Sequence, residues 1–185
     1  MRRITDAQFI LSQNFLQATM EYQLARCIKD DDRALEIAKG EQVARVLGYD
    51  LYNEQKHGFN ALNSQTEEQL EIRHISLPNT STTWNDYTLE KCQKFAEPQG
   101  VFTAVAIWDH CTLICAIYGR DERLGKELMR QLKMKKPDTR KSLNIRLSQF
   151  LGWDFEIRGF QEREVIYLAL SLVGLKHALD VEDIV

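Results

Sequence analysis

The sequence has few of the residues that interrupt or cross-link a chain. It contains 3 prolines and 4 cysteines among 185 residues. With 44% hydrophobic and 28% charged residues, so little proline argues against extensive disorder, and four cysteines do not make a disulfide scaffold at this length. The longest uncharged apolar run, residues 165–175, is well short of the roughly 20 residues that cross a bilayer. We therefore expect one globular domain, residues 1–185, with reduced thiols and no membrane segment.

Positive charge is not in excess either. The chain has 24 Lys and Arg residues against 27 Asp and Glu residues, a formal net charge of −3. This balance excludes a uniformly basic nucleic-acid-binding surface but leaves room for a local basic patch. No apolar segment follows the two arginines of the opening MRRITDAQF, so the pattern of a secretory signal is absent. The sequence therefore favours a cytoplasmic or nuclear protein.

Hydrophobic spacing predicts helices towards both ends of the chain and strands between them. Helical patterns cover residues 5–29, the stretch from the acidic cluster 30–32 to Gly48, residues 85–97, and two segments after Gly119 that break near Pro137. Alternation and β-branched or aromatic content predict strands at 59–63, 69–77, 101–108 and 112–118. The run 165–175 is a buried helix or strand. We predict an α/β fold with a central twisted mixed sheet flanked by helices.

The predicted hairpin 59–77 carries polar residues at a spacing that suggests metal chemistry. Asn60 lies on its first strand, and Glu71, Ile72 and Arg73 lie on its second. Alternation places the side chains of Glu71 and Arg73 on one face and that of Ile72 on the other. The arrangement is similar to the hairpin of the PD-(D/E)xK nucleases, in which carboxylates hold divalent ions that activate water. A salt-bridged strand at the protein surface accounts for the same residues.

A predicted helix follows the hairpin and brings a lysine near it. In the run Tyr87-Thr88-Leu89-Glu90-Lys91, the Lys91 ammonium could orient water or stabilise developing negative charge. A lysine placed on this helix resembles the cap-snatching endonucleases of segmented negative-strand RNA viruses. The nearest resemblance is to the N-terminal domain of orthomyxovirus polymerase acidic subunits, with a short loop that is thogotovirus-like. An apolar strand pair, an Arg-rich helix at 138–147 and Gly152-Trp153-Asp154 continue the likeness.

The resemblance implies roles for particular residues. Glu71 and Lys91 would be catalytic in an active domain. The metal ligands would be Glu41, Asn60, Glu71 and the carbonyl oxygen of Ile72. Glu41 lies near the position of the family's helix-borne histidine, and Asn60 takes the place of its strand aspartate, where a neutral amide is a poor substitute for a bridging carboxylate. We therefore expect a degenerate site, with Mn²⁺ or Mg²⁺ bound weakly or not at all, and little or no nuclease activity.

The same resemblance implies a fragment of a longer viral RNA polymerase subunit. Its partners would be other polymerase subunits and capped or single-stranded RNA, with no membrane contact, in the host nucleus or cytoplasm and in the virion. Two alternatives stay open. One is an active RNA endonuclease that uses two Mn²⁺ or Mg²⁺ ions. The other is a DNA nuclease of the restriction or repair type, in which lysine would be more usual at the position of Arg73.

A basic stretch occupies residues 120–146, with ten basic and four acidic side chains. Such a concentration attracts phosphates without sequence preference, so it is a candidate surface for RNA or for a polymerase partner. A solvated helical face accounts for it equally well. The candidate residues are Arg123, Lys126, Arg130, Lys133 and Arg140.

A few further side chains have both a functional and a structural interpretation. Cys111 and Cys115 share a face of a predicted strand beside His110, but no second ligand pair for zinc is visible in the sequence, so buried apolar cysteines are favoured. The two histidines that flank the hairpin, His57 and His74, are interpreted as surface or loop residues. Either base stacking or core packing explains the aromatic pair Trp84 and Tyr87, with packing favoured.

Overall fold

A mixed sheet forms the centre of the protein, in a computed structural model that describes residues 5–26, 36–51, 60–135 and 142–175. In chain order the strands are β1 (Asp50–Leu51), β2 (Ala61–Leu62), β3 (Gln69–Ser76), β4 (Ser81–Asn85), β5 (Phe102–Asp109), β6 (Thr112–Gly119), β7 (Ser142–Arg146) and β8 (Phe155–Gly159). Six of them form the central sheet in the order β1-β2-β3-β5-β6-β8. Neighbours run antiparallel except β3 and β5, which are parallel.

Helices pack on both faces of this sheet. They are α1 (Asp6–Arg26), α2 (Glu36–Val46), α3 (Leu89–Ala96), α4 (Glu122–Met134), α5 (Leu147–Leu151) and α6 (Arg163–Leu172). On one face, apolar residues of α2 form a core with Leu70, Ile72 and Trp108. On the other face, α3, α4 and α6 form a larger core with Val105, Ile107 and other residues of the sheet. The predicted central mixed sheet flanked by helices is therefore confirmed.

The end of α2 illustrates how local sequence shapes the fold. The helix is closed by Gly48, whose φ of 81° is accessible to glycine at little cost. The amide of Tyr49 donates to the carbonyl of Ala44 at 2.8 Å, which satisfies a terminal helix acceptor. Tyr49 is then buried against the sheet, and its hydroxyl lies 2.8 Å from that of Tyr118 on β6. The prediction that this helix ends at Gly48 is confirmed.

A second sheet corrects two predictions. Strands β4 and β7 pair antiparallel, with Trp84 opposite Leu143 and Thr82 opposite Ile145. The sequence predicts no strand at 81–85, whose last residue falls in the helix predicted at 85–97, and it predicts an Arg-rich helix at 138–147, where β7 lies. Both predictions were wrong, because these segments alternate buried and exposed residues and place their apolar side chains in the larger core.

Other predicted elements agree more closely with the structure. The run 165–175 falls mainly in α6, and the strands predicted at 69–77, 101–108 and 112–118 match β3, β5 and β6 to within one or two residues. None of the helices in the described ranges is long and apolar enough to cross a membrane. Arg140 and His57 lie outside the residues that the structure describes.

Candidate functional site

Glu71 lies in a buried cluster of charged and aromatic side chains between β3 and the start of α3. Only 6% of the residue is exposed. Its Oε1 accepts a hydrogen bond from the Tyr87 hydroxyl at 2.8 Å and lies 2.5 Å from Nη2 of Arg73. The same Arg73 nitrogen donates to the Tyr87 oxygen at 2.8 Å. The three groups form a closed triangle, called here the Glu71–Arg73–Tyr87 cluster.

Strand alternation and a helix cap position this cluster. Glu71 and Arg73 point to the same face of β3 because side chains two residues apart in a strand share a face. Tyr87 comes directly before Thr88, the N-cap of α3, whose Oγ1 accepts from the backbone N–H of Lys91 at 3.2 Å. The cap fixes where the helix begins and so holds Tyr87 beneath it, 4% exposed.

Aromatic rings enclose the guanidinium of Arg73. Its Cζ lies 4.6 Å from the ring centroid of Trp84 and 5.2 Å from that of Tyr87. A cation over an aromatic face is attracted by the quadrupole of the ring, most strongly when water is excluded. Trp84 is fully buried and meets Tyr87 edge to face at 5.3 Å. The two aromatic residues therefore pack around Arg73, and neither ring is presented to solvent for stacking on a base.

The cluster is balanced in charge. Burial and the neighbouring Glu71 carboxylate raise the pKa of the Tyr87 hydroxyl well above its ordinary value, despite the opposing Arg73 charge. Tyr87 therefore stays protonated and acts as the hydrogen-bond donor to Glu71. The guanidinium of Arg73 compensates the one carboxylate, so the triangle contains one anion, one cation and one neutral group.

Asn60 is bound to the backbone of Ile72. Its Nδ2 donates to the Ile72 carbonyl at 3.2 Å, and its Oδ1 accepts from the Ile72 N–H at 2.7 Å. The backbone N–H of Asn60 also donates to Leu70 at 3.0 Å, so the amide side chain extends the β2–β3 ladder by one step. Two of the predicted metal ligands, the Asn60 side chain and the Ile72 carbonyl, are thus hydrogen-bonded to each other.

Lys91 on α3 lies near the ring of Tyr87. Its Nζ is 5.8 Å from the ring centroid of Tyr87. Tyr87 therefore contacts both residues that were predicted to be catalytic, Glu71 through its hydroxyl and Lys91 through its ring.

Glu41 is placed elsewhere. Its helix, α2, packs through Val43 and Ala44 on the face of the sheet that carries Ile72, whereas Glu71 points to the opposite face. The sheet therefore lies between α2 and the Glu71–Arg73–Tyr87 cluster. Partial burial raises the pKa of the Glu41 carboxyl.

The donor set around Glu71 does not fit a divalent metal ion. Within the described ranges, no group of three or more His, Cys, Asp or Glu side chains is arranged to hold one. Mg²⁺ requires oxygen ligands at roughly 2.0–2.1 Å in a near-octahedral shell. Arg73 already places a positive charge 2.5 Å from Oε1 of the Glu71 carboxylate, so that oxygen has a cationic partner.

The tripeptide Glu-Ile-Arg occurs twice in the sequence, and the second copy helps to interpret the first. Glu156-Ile157-Arg158 on β8 repeats Glu71-Ile72-Arg73 on β3, and both pairs are joined at 2.5 Å. The side chains of Glu156 and Arg158 are 44% and 42% exposed, whereas those of Glu71 and Arg73 are 8% and 23% exposed. The ion pair expected for a surface salt-bridged strand is present, but the surface location is wrong at Glu71, where the pair is buried. The sequence did not predict that the Tyr87 hydroxyl binds Glu71. The Glu-x-Arg spacing on a strand, which occurs in both tripeptides, was the available signal for the ion pair.

Part of the basic stretch is paired with neighbouring acids. Three of its candidate residues form ion pairs on α4 or with its N-cap: Arg123 with Asp121, Lys126 with Glu122, and Arg130 with Glu127. Hydrogen bonds from Arg123 lower the pKa of Asp121 to about 2. Lys133 is exposed, and Arg140 lies outside the described residues. These pairs favour the interpretation of α4 as a solvated helical face.

The cysteine and histidine predictions have separate outcomes. Cys111 packs with Leu16 of α1, whereas Cys115 belongs to the larger core, so the two thiols do not share a ligand site. Burial raises the pKa of Cys115 to about 12, as expected for an apolar thiol. His74 was predicted to be a surface or loop residue; it lies within β3 and is half-buried. Its Nδ1 accepts from the buried Trp108 indole at 3.2 Å.

No protein-family model matches this chain, and no curated protein matches it significantly.

Proposed function

We propose that this chain is an endonuclease-like domain of the PD-(D/E)xK type without nuclease activity, serving a viral RNA polymerase subunit as a structural and partner-binding module. The observation that carries this proposal is the ion pair between Arg73 and Glu71. In the proposed evolutionary relation, the guanidinium takes the place of the metal ion as the positive charge that compensates the carboxylate.

The order of elements supports the fold part of the proposal. The resemblance implies a hairpin, a helix carrying the lysine, and then an apolar strand pair. The chain has β2 and β3, then α3 with Lys91, then β5 and β6. Glu71 on β3 and Lys91 on α3 both contact Tyr87, as expected if they descend from one catalytic centre.

Electrostatics support the loss of activity. A two-metal site must compensate four positive charges, chiefly with carboxylates. Here the carboxylate of Glu71 already has a cationic partner, and Asn60 is a neutral amide whose two polar atoms bond the Ile72 backbone. Binding of Mn²⁺ or Mg²⁺ would require breaking a buried ion pair, which typically costs about 3–5 kcal/mol.

The viral part of the proposal is supported by the resemblance of the sequence. It extends to the setting: other polymerase subunits as partners, capped or single-stranded RNA nearby, and a location in the host nucleus or cytoplasm and in the virion.

Metal titration combined with an RNA cleavage assay tests the proposal. We expect no rise in melting temperature with Mn²⁺ or Mg²⁺, because an ion stabilises a protein only by binding its native state. We expect no divalent-dependent cleavage of single-stranded RNA. Cleavage by the unmodified protein that is abolished in Glu71→Gln but kept in the matched exposed variant Glu156→Gln would overturn the proposal in favour of an active RNA endonuclease. If that variant pair gave the same result only on DNA, a DNA nuclease would be favoured.

A further inference from the structure

A polar cleft lies between α4, β7 and the start of α5, and it shares no residue with the Glu71–Arg73–Tyr87 cluster. Its volume is about 640 Å³, within the usual range for small-molecule sites. Polar and charged side chains line it: Ser81, Arg130, Asn144, Arg146, Ser148 and Gln149, together with Glu127 and Gln131. Sites for apolar ligands are lined mainly by hydrophobic side chains, so this cleft suits a polar or charged ligand.

The acidic residue in the cleft is fully engaged. Both carboxylate oxygens of Glu127 accept hydrogen bonds from Arg130 at 2.7 Å, and Oε1 accepts another from Gln131 at 2.9 Å. These bonds lower the pKa of Glu127, so it stays ionised and compensates Arg130. The amide of Gln131 is also held by the backbone N–H and carbonyl of Asn144. Glu127 and Gln131 therefore form a fixed wall of the cleft.

The remaining groups are mostly hydrogen-bond donors. The exposed guanidinium of Arg146 forms no ion pair within the described part of the chain. The hydroxyls of Ser81 and Ser148 and the NH₂ group of Gln149 likewise have no hydrogen-bond partner among the described residues, whereas Oε1 of Gln149 is used by the backbone N–H of Arg146. An excess of donors around one uncompensated guanidinium is the chemistry that recognises an oxyanion.

We propose that this cleft binds a phosphate group, with Arg146 as its charged anchor and the hydroxyls of Ser81 and Ser148 as further donors. The cleft is larger than a phosphate ion, so there is room for the remainder of a phosphorylated ligand, either a free nucleotide or a nucleotide unit of an RNA strand. The site is independent of the proposed function, because no part of it depends on the nuclease resemblance.

Binding measurements on the full chain test the proposal, with inorganic phosphate, adenosine monophosphate and a short oligouridylate as probes. Arg146→Gln should weaken the affinity at least tenfold, since a guanidinium–phosphate contact is charge-assisted and bidentate. Arg163→Gln removes the same charge from an exposed position on α6 and should change the affinity less than twofold. Both variants should keep their melting temperature within about 2 °C, because exposed side chains contribute little to stability.

A second variant guards against a folding defect in Arg146→Gln. Ser148→Glu places a carboxylate in the cleft at the first turn of α5, where acidic residues are tolerated, and should abolish binding by repulsion. If adenosine monophosphate binds at least as tightly as the oligouridylate, the ligand is a free nucleotide. Binding of the oligouridylate alone, with the same loss in both cleft variants, assigns the site to RNA backbone phosphates. Equal effects of Arg146→Gln and Arg163→Gln, or binding of none of the three probes, would overturn the proposal.

Discussion

In the described part of the chain, side-chain amides bond both backbone groups of another residue at two places. Asn60 bonds both the N–H and the carbonyl of Ile72, and Gln131 bonds both backbone groups of Asn144. An amide has a donor and an acceptor side by side, as a peptide group does, whereas an ionised carboxylate has acceptors only. Asn60 therefore has a structural role that aspartate would not fill.

Replacing Asn60 by aspartate should destabilise the protein. In Asn60→Asp the Ile72 carbonyl loses its donor and faces a carboxylate oxygen, so we expect the free energy of unfolding to fall by about 1–3 kcal/mol. Urea denaturation measures this. The matched control is Asn63→Asp, because Asn63 uses only its Oδ1, which accepts from the backbone N–H groups of Gln65 and Thr66. The control should change stability by less than about 0.5 kcal/mol. Equal stability of Asn60→Asp and wild type would contradict the structural role.

The two Glu-Ile-Arg tripeptides contain the same ion pair in a buried and an exposed setting, so they test how burial changes its contribution to stability. Arg73→Gln leaves the Glu71 carboxylate buried without its cation and should cost about 3 kcal/mol or more. Arg158→Gln breaks an equally short but exposed pair and should cost about 0–1 kcal/mol. Chemical denaturation of both variants gives the comparison. Adding Glu71→Gln to Arg73→Gln should recover part of the loss, since the unpaired charge is then removed. Similar costs at the two sites would mean that Glu71 is hydrated in solution.

At the scale of elements, the contact between α3 and α4 depends on one glycine. A Cβ at Gly125 of α4 would lie 2.3 Å from the backbone nitrogen of Ala96 and 2.6 Å from the carbonyl carbon of Phe95, both on α3. Glycine inside a helix ordinarily costs about 1 kcal/mol relative to alanine. The close approach of the two helix backbones explains its presence here.

Gly125→Ala should therefore destabilise the protein although it raises helix propensity. We expect a net loss of about 2 kcal/mol, because overpacking against a backbone outweighs the gain in propensity, and a fall of roughly 4–8 °C in melting temperature. The control Gly152→Ala places its Cβ 3.5 Å from the nearest atom, an ordinary contact, and should shift the melting temperature by no more than about 2 °C. A melting temperature of Gly125→Ala at or above that of wild type would show that the two helices separate easily.

The two mispredicted strands show where sequence patterns are insufficient. Residues 142–146 alternate buried and exposed positions, but the resemblance to the polymerase domain and the helical pattern after Pro137 favoured a helix. Residues 81–85 are rich in serine and threonine, which suits both loops and strands. What decides both segments is their mutual pairing across about sixty residues of chain, and local periodicity cannot reveal such a partner.

At the scale of the whole molecule, the sequence predicted the sheet and its main strands because their hydrophobic periodicity is local. The sequence also suggested that Glu71 and Lys91 lie near each other, and in the structure both contact Tyr87. It could not tell which face of the sheet α2 would cover, and so could not place Glu41 relative to Glu71. It also could not distinguish a carboxylate compensated by Arg73 from one available to a metal, because that depends on burial and on the Tyr87 hydroxyl.

The stability of the whole fold should depend on pH through His74. Burial, together with the positive charges of Lys39 and Arg73, lowers the pKa of His74 from 6.5 to about 3. The neutral ring accepts the Trp108 indole hydrogen bond, and Lys39 lies over the Trp108 ring with its Nζ 4.9 Å from the centroid. Protonation would remove the acceptor and bring a third positive charge beside Lys39 and Arg73.

Stability should therefore fall as the pH decreases from about 6.5 towards 3. The unfolded chain binds a proton at His74 over this interval and the folded chain does not, so the slope due to this group approaches about 1.4 kcal/mol per pH unit. Asp121, whose pKa is lowered from 3.8 to about 2, adds a further loss only below about pH 4. Urea denaturation between pH 8 and 4 measures the slope in wild type and in His74→Gln, whose amide oxygen can still accept from Trp108. We expect the variant to lose most of the slope between pH 6.5 and 4. The same slope in both proteins would show that protonation of His74 does not cause the loss of stability at low pH. The charges around β3 would then be more hydrated than their burial implies.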